Sequence, residues 1–202
     1  MTILSDFQEL DLRRGVLTRR RRVSDSLGHV TGLTNRRFVH MGAAHLGSEE
    51  MTIIPENWSG PLRIRSELDG TVTNSGVPRY RGLACRHLDP VRTGRLGADT
   101  MLLVVETIQS HIRIAEAART RVFRDGAHLP GSDSVTEQPG RIGCEFSVTV
   151  AAGQPVAAEK TVAIATSRDR AVSEPGVGGV RGARVLAIPS VRLTSQSAAW
   201  YS

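Results

Sequence analysis

Cysteine and histidine are the side chains here best suited to metal binding or nucleophilic catalysis, and their spacing favours neither. The two cysteines, Cys85 and Cys144, are far apart and form no CxxC pair. The six histidines form no HxH or HExxH motif, and His40 and His45 lack a standard metal-binding spacing. We therefore expect no metal site, buried free thiols, and histidines at the surface or at the edge of the core.

Motifs of nucleotide-binding and hydrolytic sites are absent as well. The sequence contains no phosphate-binding GxxxxGK[ST] loop, no GxSxG turn and no GxGxxG following a strand. The one glycine-rich stretch, GVGGVRG at residues 176–182, follows Pro175 and is typical of a flexible linker. We expect the protein to need no cofactor.

The charge balance permits a nucleic-acid partner but does not favour one. The chain has 26 Lys and Arg against 20 Asp and Glu, a formal net charge of +6. Lys160 is the single lysine, and the arginines spread from Arg13 to Arg192 among acidic residues. This distribution is typical of a solvated surface with ion pairs rather than of a phosphate-binding stripe.

No stretch of the sequence is apolar over the length that a membrane helix needs. The longest apolar run, residues 101–105, is far shorter than the roughly 20 residues required. Asp6 and Glu9 occupy the region where a secretory signal would carry positive charge. The sequence therefore predicts a cytoplasmic protein without a membrane segment.

Alternation of apolar and polar residues between turn residues predicts a chain built of strands. Two short strands are expected around Gly15, and further strands at Phe38–Val39 and Thr52–Ile54. From Leu62 to Leu68 apolar residues alternate with charged ones, as in a half-buried strand. The segment DGTVTNSGV then predicts a hairpin or a pair of turns.

The second half continues the same pattern. MLLVVETIQS and HIRIAEAARTRVF are predicted as strands, although AEAARTR would also suit a helix; in the second run Ile112 and Ile114 alternate with Arg113 and Glu116. A polar loop is expected over residues 125–140, before the alternating runs CEFSVTVAAG and EKTVAIATSRD.

Roughly ten such segments favour an all-β antiparallel sandwich over a parallel α/β fold. We expect this domain to occupy residues 1–175, and residues 176–202 to form a linker or tail with a short helix from Ser190 to Trp200. Few aromatic residues are present, so the core is expected to be aliphatic.

Several motifs together resemble one family. The stretches IIPENWSGP, RSELDGTVTNSGVPRY and His87-Leu88 are similar to the N-terminal domain of glycoside hydrolase family 65, phosphorylases and hydrolases of α-linked disaccharides such as maltose, trehalose and kojibiose. LDLRRGVLTR, RRFVHMGAAHL and EKTVAIATSRDRAVSEP support the resemblance, which covers about residues 8–175. It implies a β-supersandwich, which we expect to be incomplete because no NGYLG-like segment precedes Leu10.

The resemblance also implies that the chemistry lies elsewhere. In this family the sandwich precedes an (α/α)6 barrel that carries the general acid, so no residue of this chain inherits a catalytic role. Inverting cleavage needs an acid carboxylate about 6.5–9.5 Å from the attacking group. Glu67 and Asp69 would share a strand face, but nearby Arg63, Arg65 and Arg79 favour surface ion pairs.

The remaining acidic and aromatic candidates have structural interpretations too. Glu49 and Glu50 are assigned to a solvated strand end and Asp169 to a turn. Trp58 and Tyr80 are expected to anchor turns rather than to stack on sugar. The other Trp and Tyr residues of the chain are Trp200 and Tyr201. Sugar-binding residues therefore remain unassigned.

Three functions stay open. The chain could be a non-catalytic sandwich that packs on a family 65 barrel and helps to assemble a homodimer, a free-standing module that contacts a disaccharide, or, least favoured, a basic nucleic-acid-binding domain. Without a barrel, such a sandwich would expose strand edges and an apolar face, so we expect the isolated chain to self-associate.

Overall fold

The computed structural model describes residues 1–73 and 86–169, and within these ranges the chain forms strands and no helix. All strand pairs are antiparallel, which confirms the predicted all-β fold. The strands are β1 (Thr2–Asp11), β2 (Val16–Ser24), β3 (Val30–Val39), β4 (Leu46–Pro55), β5 (Gly60–Asp69), β6 (Leu88–Leu96), β7 (Thr100–Thr107), β8 (Arg113–Arg124), β9 (Ala127–His128), β10 (Ser134–Gln138), β11 (Arg141–Val150) and β12 (Val156–Thr166).

Two sheets of unequal size form the sandwich. The large sheet has the order β1-β2-β3-β4-β12-β8-β7-β6, with β9 paired to β8, and the small sheet has the order β10-β11-β5. The small sheet packs mainly against β6, β7 and β8. We call this two-layered part the sandwich, and the strands β1, β2 and β3 at the opposite side of the large sheet the wing.

The hydrophobic core lies between the two sheets. Leu103 and Val122 of the large sheet meet Ile142 and Phe146 of the small sheet, all at most 5% exposed. A smaller cluster on the other face of the large sheet consists of Leu102, Val104 and Ala115. Among the described residues, none from β1 to β4 belongs to either cluster, so burial of apolar surface is concentrated away from the wing.

Turn residues agree with the strand boundaries. Gly15 lies between β1 and β2 with a φ of 65°, a left-handed conformation that glycine adopts without strain. Gly140 joins β10 to β11 with a φ of 76°, and an added Cβ would approach Pro90 Cγ to 2.8 Å. Glycine at this turn therefore allows the small sheet to pack closely on β6.

The structure extends two predictions, confirms one and corrects one. The strands predicted at Phe38–Val39 and Thr52–Ile54 are the ends of ten-residue strands, β3 and β4. AEAARTR is strand, as expected. The polar loop predicted over residues 125–140 was wrong in part, because β9 and β10 lie within it. The mostly polar, exposed strand β10 is held by its main-chain ladder to β11, which an apolar pattern does not reveal.

Some predictions fall outside the described residues. These are the structural roles of Tyr80, Arg79 and Cys85, the far part of the predicted hairpin, the linker at 176–182, the helix from Ser190 to Trp200, and Tyr201.

Candidate functional site

The carboxylates predicted to share a strand face do so, on the exposed face of the small sheet. Glu67 Oε1 lies 2.8 Å from Arg141 Nε, and Glu67 Oε2 lies 2.6 Å from Arg65 Nη2. Asp69 also pairs with Arg141 and accepts hydrogen bonds from the amide and hydroxyl of Thr71 at 2.9 and 2.6 Å. The predicted surface pairing is confirmed, with Arg141 of the neighbouring strand as an additional partner.

These contacts make Asp69 a poor proton donor. Hydrogen bonds from Arg141 and Thr71 outweigh the effect of burial and lower the pKa of Asp69 from 3.8 to about 2. A general acid needs a pKa raised toward the working pH, because it must hold a proton to deliver it. The Glu67–Asp69 pair is therefore an ion-pair network of the sheet surface rather than an acid–base site.

Glu49 and Glu50 do not lie at a solvated strand end, and that prediction was wrong. Both are central in β4, where Glu49 is opposite Lys160 and Glu50 is opposite Glu159. Glu50 pairs with Arg36 at 2.5 Å and its side chain is 14% exposed, while Glu49 accepts a hydrogen bond from Asn35. Glu49 and Glu50 therefore contact residues of β3 and lie opposite residues of β12. The sequence alone does not show these contacts, because they depend on how the three strands pair. Asp169, by contrast, lies in the predicted turn and accepts the Thr166 amide.

A polar group between the sheets was missed from the sequence. Lys160 of β12 donates a hydrogen bond to the Glu67 carbonyl of the small sheet at 2.8 Å. Burial lowers the pKa of Lys160, and nearby carboxylates, Glu49 foremost, oppose that shift. The signal that could have identified this residue was available, since Lys160 is the only lysine of the chain.

Glu116 of β8 belongs to the same region. The sequence pattern groups Glu116 with Arg113, yet alternation along β8 puts it on the face of Ile114 and Ala118, toward the small sheet. Burial raises the pKa of Glu116, and attraction to Lys160 opposes the rise. A raised pKa is what a general acid needs, but Glu116 lines neither the cavity beside β6 nor the cavity beside Cys144.

A buried hydroxyl pair completes the polar contacts between the sheets. Thr120 donates to Ser66 at 2.7 Å, and both residues are less than 10% exposed. Cys144 lies beside them on β11, opposite Ser66, and burial raises the pKa of its thiol. The prediction of a buried free thiol is confirmed for Cys144. A thiol buried in this way is unreactive.

Among the described residues, one surface cavity of about 480 Å³ lies between β6 and the β10–β11 turn. Its lining contains one carboxylate, Glu137, which accepts a hydrogen bond from Thr93 at 3.3 Å, and no aromatic ring. The smaller cavity, of about 100 Å³ beside Cys144, is below the roughly 300–1,000 Å³ of typical small-ligand sites. The larger cavity thus lacks an aromatic platform, and the smaller one, although Asp99, Cys144 and Phe146 line it, is too small for a disaccharide.

Trp58 anchors a turn, as predicted. Its indole Nε1 donates to Thr31 Oγ1 at 2.9 Å, and its ring is partly buried against the core. The other visible ring contact is with His29, at a centroid distance of 5.8 Å. With its polar atom and one side committed to the protein, Trp58 is not an open platform for a sugar ring.

The histidines lie at turns and strand ends, in agreement with the sequence. His40 accepts the Ala43 amide, and His45 Nδ1 lies 2.9 Å from the Ile164 carbonyl. His29 contacts Asp25, and His111 contacts Glu106, at 3.0 and 3.1 Å. In residues 1–73 and 86–169 no three His, Cys, Asp or Glu side chains are arranged to hold a metal ion.

Arginines of the wing are neutralised in pairs. Asp6 is bound by Arg19 at 2.6 Å and Arg21 at 3.1 Å, and Arg22 pairs with Glu56 at 2.5 Å. Because each of these carboxylates competes with a phosphate for the guanidinium, the arginine-rich run of β2 does not form a free cationic stripe.

Comparison with known proteins agrees with the observed fold. The family model for the glycosyl hydrolase family 65 N-terminal domain matches residues 1–200. Within the described part of the chain, no helix has the length and apolar character needed to cross a membrane.

Curated relatives are much longer than this chain. An uncharacterised glycosyl hydrolase of Mycobacterium tuberculosis is 41% identical over 179 residues, which is 89% of this chain and 13% of that protein. Kojibiose phosphorylase of Thermoanaerobacter brockii is 31% identical over 115 residues, 56% of this chain and 14% of the enzyme.

A solved structure has the same fold. It is described as a candidate kojibiose phosphorylase from the human microbiome, and it matches 92% of this chain and 22% of its own with a TM-score of 0.70 at 14% identity. The match over residues 1–200 and the sandwich architecture agree: this chain belongs to the N-terminal domain family of glycosyl hydrolase family 65 and is related to kojibiose phosphorylases.

Proposed function

We propose that this chain is a non-catalytic sandwich of a family 65 enzyme acting on α-linked disaccharides, with a structural role beside a catalytic barrel. The main support is the state of its acidic residues. The candidate pair Glu67 and Asp69 is neutralised by arginines, and Glu116, whose pKa burial raises, lines neither described cavity. Of these three described carboxylates, none is placed to protonate a glycosidic oxygen, so a supporting role beside an active site suits the domain better than catalysis.

The relatives support a barrel as the partner. This chain spans only 13% of the mycobacterial relative and 14% of the kojibiose phosphorylase, so most of each relative lies outside the matched region. We expect the catalytic residues of such an enzyme to come from that remainder. Assembly through a second copy of this chain is a further part of the proposal.

The first test is turnover by the purified chain. Kojibiose, maltose and trehalose are supplied with and without inorganic phosphate, and release of glucose or glucose 1-phosphate is followed. We expect no release. Turnover that disappears in a Glu116→Gln variant, but persists in Glu137→Gln, would overturn the proposal and identify the acid.

The second test measures association with a barrel. A family 65 enzyme expressed without its own sandwich is titrated with this chain, and complex formation is followed by size-exclusion chromatography with light scattering. We expect a complex and a higher melting temperature for the barrel. Failure to form a complex would contradict the structural role. Calorimetric binding of a disaccharide by the chain alone would instead favour the sugar-binding alternative. Glu137→Gln would then test whether the cavity beside β6 is the binding site.

A further inference from the structure

The outer edge of β1 is not paired with any strand in the described part of the chain. β1 is the first strand in the order of the large sheet, and among the described residues only β2 pairs with it. Nine of its ten residues are exposed. Its second edge therefore presents a row of main-chain donors and acceptors, which is a template for another strand.

The usual devices that protect an edge are weak in β1. The strand contains no proline and no lysine. Its carboxylates are engaged within the chain, since Asp6 is bound by Arg19 and Arg21 and Glu9 lies 4.0 Å from Arg20. A β-bulge interrupts the pairing with β2 between Ile3 and Ser5, so a regular edge runs from Ser5 to Asp11.

The sequence of β1 is complementary to itself. In an antiparallel pair of two β1 strands centred on Phe7, side chains of the same face remain together and no carboxylate is opposite a carboxylate. Within the regular edge from Ser5 to Asp11, the pairs in this register are Phe7 with Phe7, Asp6 with Gln8, and Ser5 with Glu9. A register centred on Asp6 would instead place two carboxylates directly opposite each other, which is unfavourable.

The apolar centre of this register is exposed in the single chain. Phe7 is 55% exposed, although it is a large hydrophobic residue. Pairing would bring it beside Phe7 of the second copy, and cross-strand aromatic pairs stabilise a sheet.

We propose that the occupant of this edge is a second copy of the same chain, which pairs antiparallel along β1 with the two-fold axis at Phe7 and joins the two large sheets into one. This inference rests on the structural role proposed above and names the surface for assembly. Because a single strand pair buries less than the roughly 1,000 Å² of a stable interface, the dimer forms reversibly with concentration.

The register is tested by cysteine cross-linking of the full chain. Two opposed strands place directly facing Cβ atoms about 4.5–5.5 Å apart, close to the distance that a disulfide spans. We expect Phe7→Cys to form a cross-linked dimer under mild oxidation. Glu9→Cys is the matched control, since it faces Ser5 of the other copy and should remain monomeric on a denaturing gel; the unsubstituted chain reports any linkage through Cys85 or Cys144.

A mixture provides the third arm of the experiment. Ser5→Cys and Glu9→Cys chains should cross-link to each other far more than either does alone. Equal cross-linking of all variants, or none in Phe7→Cys, would overturn the proposed register.

The dimer itself is tested without cross-links by analytical ultracentrifugation across a concentration series. Phe7→Lys places two positive charges at the axis and should weaken association at least tenfold. Leu27→Lys, at an exposed loop position, is the control and should leave it unchanged. A chain that remains monomeric up to its solubility limit refutes the inference but leaves the barrel-binding test intact, whereas disaccharide turnover would refute the proposed function and leave the dimer standing.

Discussion

The sandwich and the wing share one sheet but are stabilised differently. In the sandwich, side chains of β7, β8 and β12 are covered by β5 and β11, and Leu103 and Val122 are at most 2% exposed. In the wing, β1 is exposed on both faces, and Asp6 links to Arg19 and Arg21 across the strands. A continuous hydrogen-bonded sheet therefore does not imply uniform stability, because removal of apolar surface from water is the larger favourable contribution.

The largest expected difference comes from the same substitution in the two regions. Leu103→Ala removes a buried side chain from the core and should lower the free energy of unfolding by about 2–5 kcal/mol. Leu10→Ala, at a position 54% exposed, should change it by less than about 1 kcal/mol. Both are measured by urea denaturation at a concentration where the chain is monomeric. Equal effects would mean that the wing is as tightly packed as the sandwich.

A smaller difference is expected between a hydroxyl buried between the sheets and a half-buried hydroxyl of the wing. Thr120→Val leaves the Ser66 hydroxyl buried without its 2.7 Å partner and should cost about 1–3 kcal/mol. Adding Ser66→Ala should recover part of this cost, because the orphaned polar group is then removed. Thr18→Val in the wing is the control and should be nearly neutral. If the double variant is no better than Thr120→Val, then the hydroxyl pair does not act as a unit.

The smallest difference concerns acid stability. Arginine contacts lower the pKa of both Asp69 and Asp6 from 3.8 to about 2. Each carboxylate therefore contributes stability that is fully present above pH 3.8 and is lost as the pH falls toward 2. This loss is measured as the decrease in protection from amide hydrogen exchange when the pH is lowered. We expect Asp69→Asn to reduce that pH dependence in β5 and β11, and Asp6→Asn to reduce it only in β1 and β2. An effect of Asp6→Asn on β5 would show that the two regions unfold together.

Local sequence pattern predicted the type of most elements and less well their extent. The alternation from Leu62 to Leu68 was sufficient for β5, because one face of that strand carries a distinct residue type. Gly15 placed the turn between β1 and β2, but the two strands were expected to be short and have ten and nine residues. β10 was missed because its side chains are mostly polar and exposed, and its stability comes from pairing with β11. The first residues of β3 and β4 were missed because many of them are polar, although pairing with neighbouring strands leaves most of them only partly exposed.

In the candidate site, too, some contacts followed from local sequence pattern and others depended on strand register. Pairing of Glu67 and Asp69 with arginines followed from residues two apart on one strand. The partner Arg141 is more than 70 residues away along the chain, and only the register of β5 with β11 brings it opposite Asp69. The burial of Glu116 was likewise hidden, because an apolar and a charged residue on the same strand face contradict simple alternation.

The sequence alone determined that this protein is an all-β chain with an aliphatic core, no metal-binding motif and the motifs of a family 65 N-terminal domain, since residue type and short-range spacing carry those properties. Only the tertiary structure decided which half of the large sheet is covered, where Lys160 and Glu116 meet the small sheet, and which strand edge is left for a partner. These properties depend on strand order and register, which join residues that are far apart in the chain and have no local signal.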